Sequence, residues 1–234
     1  MKTAVVVFPG SNCDQDAVKA ISAVTGTSVV TAWHKNSSLP EHTDLVILPG
    51  GFSYGDYLRC GAMAANSTIM SAVKAHAARG GLVLGICNGF QILTETQLLP
   101  GALLMNECMH FICKAVTIKV ERADLPFTHQ YKKGEVITIP IAHNEGRYFI
   151  NPEGLKKLED EGRVAFRYCD AQGSVTAKSN PNGALSNIAG IVNDRGNVLG
   201  LMPHPERYSD ALLGGTDGSR FWTSVKSWLE GGAR

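Results

Sequence analysis

Residues 85–89 read Gly85-Ile86-Cys87-Asn88-Gly89, and this stretch joins the two patterns that decide the fold. Before it, Leu82–Ile86 is a short apolar run that reads as a buried strand. After it, Phe90–Leu98 reads as a helix, closed by Pro100-Gly101. A strand, a sharp turn and a helix around G-x-Nuc-x-G is the pattern of a nucleophile elbow. The flanking glycines let strand and helix approach without a Cβ clash. The thiol then stands at a helix N-terminus, where partial positive charge favours thiolate. A core cysteine beside a tight turn is the plain alternative.

Working outward, strand and helix alternate through the first hundred residues. Thr3–Phe8 reads as a strand ended by Pro9-Gly10, and Ser11, Asn12 and Asp14 offer N-caps for a helix to about Val24. Ser28–Trp33 and Asp44–Leu48 read as strands, and an Ala-rich helix is expected over Gly61–Arg79. This alternation predicts a flavodoxin-like, mostly parallel sheet with helices on both faces, whose site lies at the carboxyl ends of the strands. The second half is richer in strands. Ala115–Glu121 and Glu135–Ile141 suit an antiparallel pair, and Pro152–Glu161 a short helix. Val164–Tyr168, Leu185–Val192 and Asn197–Met202 read as strands, the last two joined by a turn at Asn193-Asp194-Arg195-Gly196. Ser219–Glu230 reads as a closing amphipathic helix. No repeat or linker interrupts residues 1–234, so a single domain is expected.

Composition narrows the function. With 44% hydrophobic residues, 18% charged residues and a formal net charge of +1 over 234 residues, the chain has the profile of a folded globule. It carries no broad field for nucleic acid or an anionic membrane. No signal peptide or membrane-length apolar stretch is visible, so a cytoplasmic location and reduced thiols are expected. The six cysteines form no CxxC pair and no zinc spacing, and no metal site is expected. No P-loop or GxGxxG appears either.

Two further segments belong with the elbow. Leu201-Met202-Pro203-His204-Pro205-Glu206-Arg207 follows an apolar strand. In extended backbone, residues i and i+2 project to one side, so Glu206 can accept from the His204 ring and leave its other nitrogen to serve Cys87. A surface turn with a casual His–Glu pair is the alternative. In Leu48-Pro49-Gly50-Gly51-Phe52, paired glycines after a strand can expose an N–H. With the N–H of Asn88, Gly51 could form an oxyanion hole. A plain strand-ending turn is the alternative.

On these residues the chain resembles the class I glutamine amidotransferases, the Cys-His-Glu glutaminases. VFPGSNCDQD at 7–16, PGGFSYGDYLRCGAMAA at 49–65, GICNGFQIL at 85–93, LLPGALL at 98–104, IAHNEGRY at 141–148, NIAGIVNDRGNVLG at 187–200 and GLMPHPER at 200–207 make it similar to the glutaminase subunits of phosphoribosylformylglycinamidine synthase. The resemblance implies Cys87 as nucleophile, His204 as base, Glu206 as its orienter, Gly51 and Asn88 at the oxyanion, and Gly50 and Gln91 at the glutamine pocket. It implies a γ-glutamyl thioester, and ammonia delivered to a synthetase subunit that converts formylglycinamide ribonucleotide to formylglycinamidine ribonucleotide. ATP and Mg would belong to that partner, with no cofactor in this chain, and a small third subunit is expected.

Two segments depart from the family pattern: IAHGEGR reads IAHNEGR, with Asn144, and the stretch similar to HNESGKFICR reads MNECMHFICK over 105–114. His143, Glu145 and Arg147 are read as pocket rim or interface, with a solvated turn as the alternative. Cys13, in the loop after the first strand and near the crevice by topology, and His34, after the second, are read as structural or packing residues. The rival functions are a stand-alone γ-glutamyl hydrolase or peptidase, the glutaminase of another amidotransferase, and a regulatory module with a vestigial site.

Overall fold

A computed structural model describes residues 1–231. The strands are β1 (Lys2–Val7), β2 (Ser28–Trp33), β3 (Leu45–Leu48), β4 (Leu82–Ile86), β5 (Ala102–Leu104), β6 (Ile112–Val120), β7 (Val136–His143), β8 (Arg147–Phe149), β9 (Val164–Tyr168), β10 (Ile188–Val192) and β11 (Val198–Leu201). The helices are α1 (Asp14–Thr25), α2 (Ala62–Ala65), α3 (Ile69–Ala78), α4 (Asn88–Glu95), α5 (Pro152–Asp160) and α6 (Ser219–Gly231).

Nine strands form one sheet in the order β2-β1-β3-β4-β11-β10-β9-β6-β7, and β5 pairs with β8 in a separate two-stranded sheet. From β2 to β11 the pairings are parallel. From β11 to β7 they are antiparallel. The burial patterns explain the division. β3 and β4 are buried along their whole length, as parallel strands covered by helices must be. β7 instead alternates half-buried and buried residues, with one face on the core. Helices α3 and α4 pack on the central strands, and α1 packs against α6. One connected core includes Val5, Ile47, Leu84, Leu199, Phe166 and Trp222.

The expected elements are present, with informative differences. The N-cap of α1 is Cys13, and no side chain caps that helix end; Asp14 and Asp16 in its first turn complement the helix dipole instead. The Ala-rich segment is two helices, broken at 66–68. The strand expected from Leu185 begins at Ile188, because Ser186 and Asn187 adopt φ of 50° and 56°, a left-handed conformation that no strand accommodates. The β5–β8 pair carries no readable sequence signal, its strands being only three residues each.

Candidate active site

The strand register brings the candidate residues together. Ile86 on β4 pairs with Leu201 on β11, and the Cys87 N–H donates to the Leu201 carbonyl at 2.8 Å. Two neighbouring parallel strands therefore end side by side, and Cys87 and His204 leave them one and three residues beyond that pair. Cys87 has φ 50° and ψ −104°, an uncommon conformation for a residue with a Cβ and the kind of strain a nucleophile elbow stores. The glycines serve as the sequence suggested. A Cβ at Gly85 would stand 2.6 Å from the Gly89 carbonyl oxygen, and one at Gly89 would run into the Leu48 carbonyl oxygen. Only glycine lets α4 start this close to β3 and β4.

The His204–Glu206 pair forms as expected. His204 Nδ1 lies 2.6 Å from Glu206 Oε1, and the two residues are 1% and 2% exposed. Burial by itself would lower the pKa of His204. The Glu206 carboxylate and then Cys87 outweigh it, and the ring is held well above its ordinary value. His204 Nε2 is buried without a hydrogen-bond partner. The Cys87 thiol, 4% exposed, donates a long contact of 3.7 Å to the Ala142 carbonyl. A thiol beside an imidazole steadied by a buried carboxylate can pass its proton to the ring and receive it back.

Gly50 and Gly51 complete one wall. A Cβ at Gly50 would stand 2.6 Å from His204 Cε1, so the glycine lets the loop lie against the ring. Gly51 has φ 131° and bridges to Ser11. Asn88 ties the loop to the elbow: its Oδ1 accepts from the Ser53 N–H at 3.2 Å, and its Nδ2 donates to Gln91 Oε1 at 2.8 Å. Gln91 Nε2 in turn donates to the Glu145 carbonyl at 2.7 Å. The side chain of Gln91 thus braces the wall, with both ends of its amide engaged.

The opposite wall comes from the antiparallel half. β7 ends the sheet order, yet the His204 N–H donates to the Pro140 carbonyl at 2.8 Å, and Ala142 and His143 follow on the same strand. His143 is 2% exposed, so the solvated turn is not what forms. Burial and then the neighbouring His204 lower its pKa to about 4, which keeps it neutral. Asn106 organises this corner. Its Oδ1 faces His143 Nδ1 at 3.0 Å and accepts from the Gly146 N–H at 3.1 Å, while its Nδ2 donates to the His143 and His110 carbonyls at 2.9 Å. No local pattern marks Asn106; its partners at 143 and 146 are distant in sequence.

The remaining cysteines divide. Burial and then Asp56 push the Cys60 thiol up, so it stays protonated. Burial raises Cys169 as well, and Cys108 and Cys113 are exposed. His34 packs as read, with Nδ1 2.7 Å from the Tyr54 hydroxyl. Cys13 is buried, 3% exposed, and its sulfur, the His204 ring and the Glu206 carboxylate offer ligand-type atoms all within 4.8 Å of one another. The chain's topology puts Cys13 near the crevice, but only the fold shows what it touches.

A family model described as a CobB/CobQ-like glutamine amidotransferase domain matches residues 1–230. The chain belongs to this family. The amidotransferase is 54% identical over 230 residues to the phosphoribosylformylglycinamidine synthase subunit PurQ of Bradyrhizobium diazoefficiens, covering 98% of this chain and 99% of the relative. It is 56% identical over 225 residues to the PurQ subunit of Gloeobacter violaceus, covering 96% and 97%. Among solved structures it is similar to a chain of PurLQS from Thermotoga maritima, with TM-score 0.86, 45% identity and 97% and 98% coverage. A second glutamine amidotransferase from Thermotoga maritima shares the fold at TM-score 0.57 and 15% identity, with 98% and 84% coverage. Among the described residues of the amidotransferase, no helix is long and apolar enough to cross a membrane.

Proposed function

We propose that this chain is the glutaminase subunit of phosphoribosylformylglycinamidine synthase, acting through Cys87, His204 and Glu206. The observation that carries the reading is the buried His204–Glu206 hydrogen bond of 2.6 Å beside a cysteine at φ 50° on a strand-to-helix elbow. The Cys87 proton passes to His204 Nε2, the nitrogen that Glu206 leaves free. The sulfur attacks the side-chain amide carbon of glutamine, and the carbonyl electrons move to oxygen. The N–H groups of Gly51 and Asn88 receive that oxyanion. The tetrahedral adduct collapses, the C–N bond breaks, and the imidazolium gives its proton to the departing ammonia. Water, deprotonated by the same ring, then cleaves the γ-glutamyl thioester to glutamate and returns the thiol. Gly50 lines the glutamine pocket, and Gln91 shapes its wall through Glu145.

Ammonia passes to a synthetase subunit that uses ATP and Mg to convert formylglycinamide ribonucleotide to formylglycinamidine ribonucleotide, with a small third subunit in the complex. The similarity to PurQ subunits over nearly the whole chain, and to a chain of PurLQS, supports this assembly. The chain is a single glutaminase domain and works in the cytoplasm.

The test is amidation by the reconstituted complex with each nitrogen donor. Cys87→Ala is expected to abolish glutamine use and leave ammonium use intact. Glutamine use that survives Cys87→Ala would reject the catalytic assignment. Full glutaminase activity of the lone chain, unchanged by the synthetase, would favour a stand-alone hydrolase.

A further inference from the structure

We infer, resting on the glutaminase reading above, that Cys13 is a positioning residue: it engages the Arg207 guanidinium and so reserves the Glu206 carboxylate for His204. Glu206 Oε1 is committed to His204, but Oε2 is buried with no hydrogen-bond partner. A buried carboxylate with a spare oxygen is a strong attractor for a guanidinium, which binds both oxygens through its fork of N–H groups. Arg207 is the next residue, and the Glu206 charge already acts on it. Yet Arg207 Nη2 donates to Cys13 Sγ at 3.0 Å, and its Nε reaches Asp16 at 3.4 Å.

The sulfur is well placed for this task. It is held by the Cys13 N–H donating to the Gly50 carbonyl at 3.4 Å, and it lies beside the same Gly50 that supports the His204 ring. Cys13 is 3% exposed, so water does not compete freely for Arg207 there. The Cys-His-Glu trio has donors that suit zinc. However, the guanidinium already lies 3.0 Å from the sulfur, where its positive charge opposes a bound cation. The charged and titratable groups around His204 are Cys87 from the elbow, Cys13 ahead of α1, His143 from β7, and Glu206 and Arg207 from its own segment; Asp16 lies beyond Arg207.

If Cys13 is removed, Arg207 gains access to Glu206 Oε2. The imidazolium then loses part of its counter-charge, and the alkaline limb of the pH profile, which marks loss of the His204 proton, moves to lower pH. The experiment uses the full chain in its reconstituted complex, with Cys13→Ala, Cys13→Ser, Arg207→Met and the Cys13→Ala/Arg207→Met double variant. It reads glutamine-dependent kcat, KM and pH profile, together with the pH dependence of Cys87 alkylation by iodoacetamide.

Cys13→Ala is expected to lower kcat about tenfold with KM little changed, to shift the alkaline limb of the kcat profile downward, and to move the His204-linked step of the alkylation profile to lower pH. Cys13→Ser, whose hydroxyl can accept the same N–H, should keep most of the activity. The double variant should recover part of the loss, because the competing cation is gone. A Cys13→Ala enzyme within about twofold of the parent and with unmoved limbs overturns the inference. So does a double variant no better than Cys13→Ala. Should Cys13→Ala not fold, Cys13→Val, which likewise cannot accept from Arg207, takes its place in the alkylation profile: a profile unmoved from that of Cys13→Ser overturns the inference. Failure of the parent to hydrolyse glutamine would instead count against the proposed function, and the alkylation readout does not depend on that activity.

Discussion

The parallel and antiparallel halves of the sheet both build the site, but in different ways. The parallel half supplies short, local constellations: the 85–89 elbow, the Gly50-Gly51 turn and the His204–Glu206 pair, each placed by a strand end. The antiparallel half supplies a wall, from Pro140 to Glu145, held by Asn106 and Gln91 across long stretches of chain. The lesson is that reactive groups ride on strand ends whose positions follow from register. The surface that confines them depends on polar contacts between distant segments.

The contrast can be broken at the parallel half first. His204→Gln should lower glutamine turnover roughly 10³-fold or more, with far-ultraviolet circular dichroism unchanged. A loss of only a few-fold would place the base elsewhere. Next, Gly89→Ala drives a Cβ into the Leu48 carbonyl and should cost about 3 kcal/mol in denaturant unfolding. An unchanged midpoint would mean that α4 can retreat from β3 and that the close approach is dispensable.

The antiparallel wall is expected to respond more mildly. Asn106→Ala leaves the His143 Nδ1 and carbonyl and the Gly146 N–H without their partner. It should cost about 2 kcal/mol and raise KM for glutamine more than it lowers kcat. A kcat loss at constant KM would move Asn106 from the wall to the chemistry.

The smallest effect concerns His143. Its pKa is depressed to about 4, so its folded form resists protonation while the unfolded chain takes up a proton near 6.5. Its stabilising contribution is therefore present above pH 6.5 and lost as pH falls toward 4. Between pH 7 and 5.5 the parent should lose about 1 kcal/mol more than His143→Gln does, read from paired urea titrations. Parallel pH dependences in the two proteins would show that the ring is not kept neutral.

Much of the parallel half is legible because its signals are local. β2 and β4 fall where β-branched and apolar runs predict, each preceded by glycine, at 26 and at 80–81. In the antiparallel half, β9 is equally clear, but β10 starts later than its apolar run suggests, because two left-handed residues interrupt that run. Cys13 escapes the sequence for another reason. Nothing around it distinguishes a packed thiol from one that touches Arg207, whose partner atom lies 194 residues away.

The sequence by itself determined the alternation of strand and helix, the glycine-flanked turn at Cys87 and the adjacency of His204 and Glu206, because each depends on backbone preferences acting over a few residues. Only the tertiary structure decided that β4 and β11 lie side by side in a register that joins thiol to imidazole, that β7 returns to close the site, and that Asn106 and Cys13 belong to it. Those are contacts between distant segments, and they depend on buried polar groups finding partners once the core has formed.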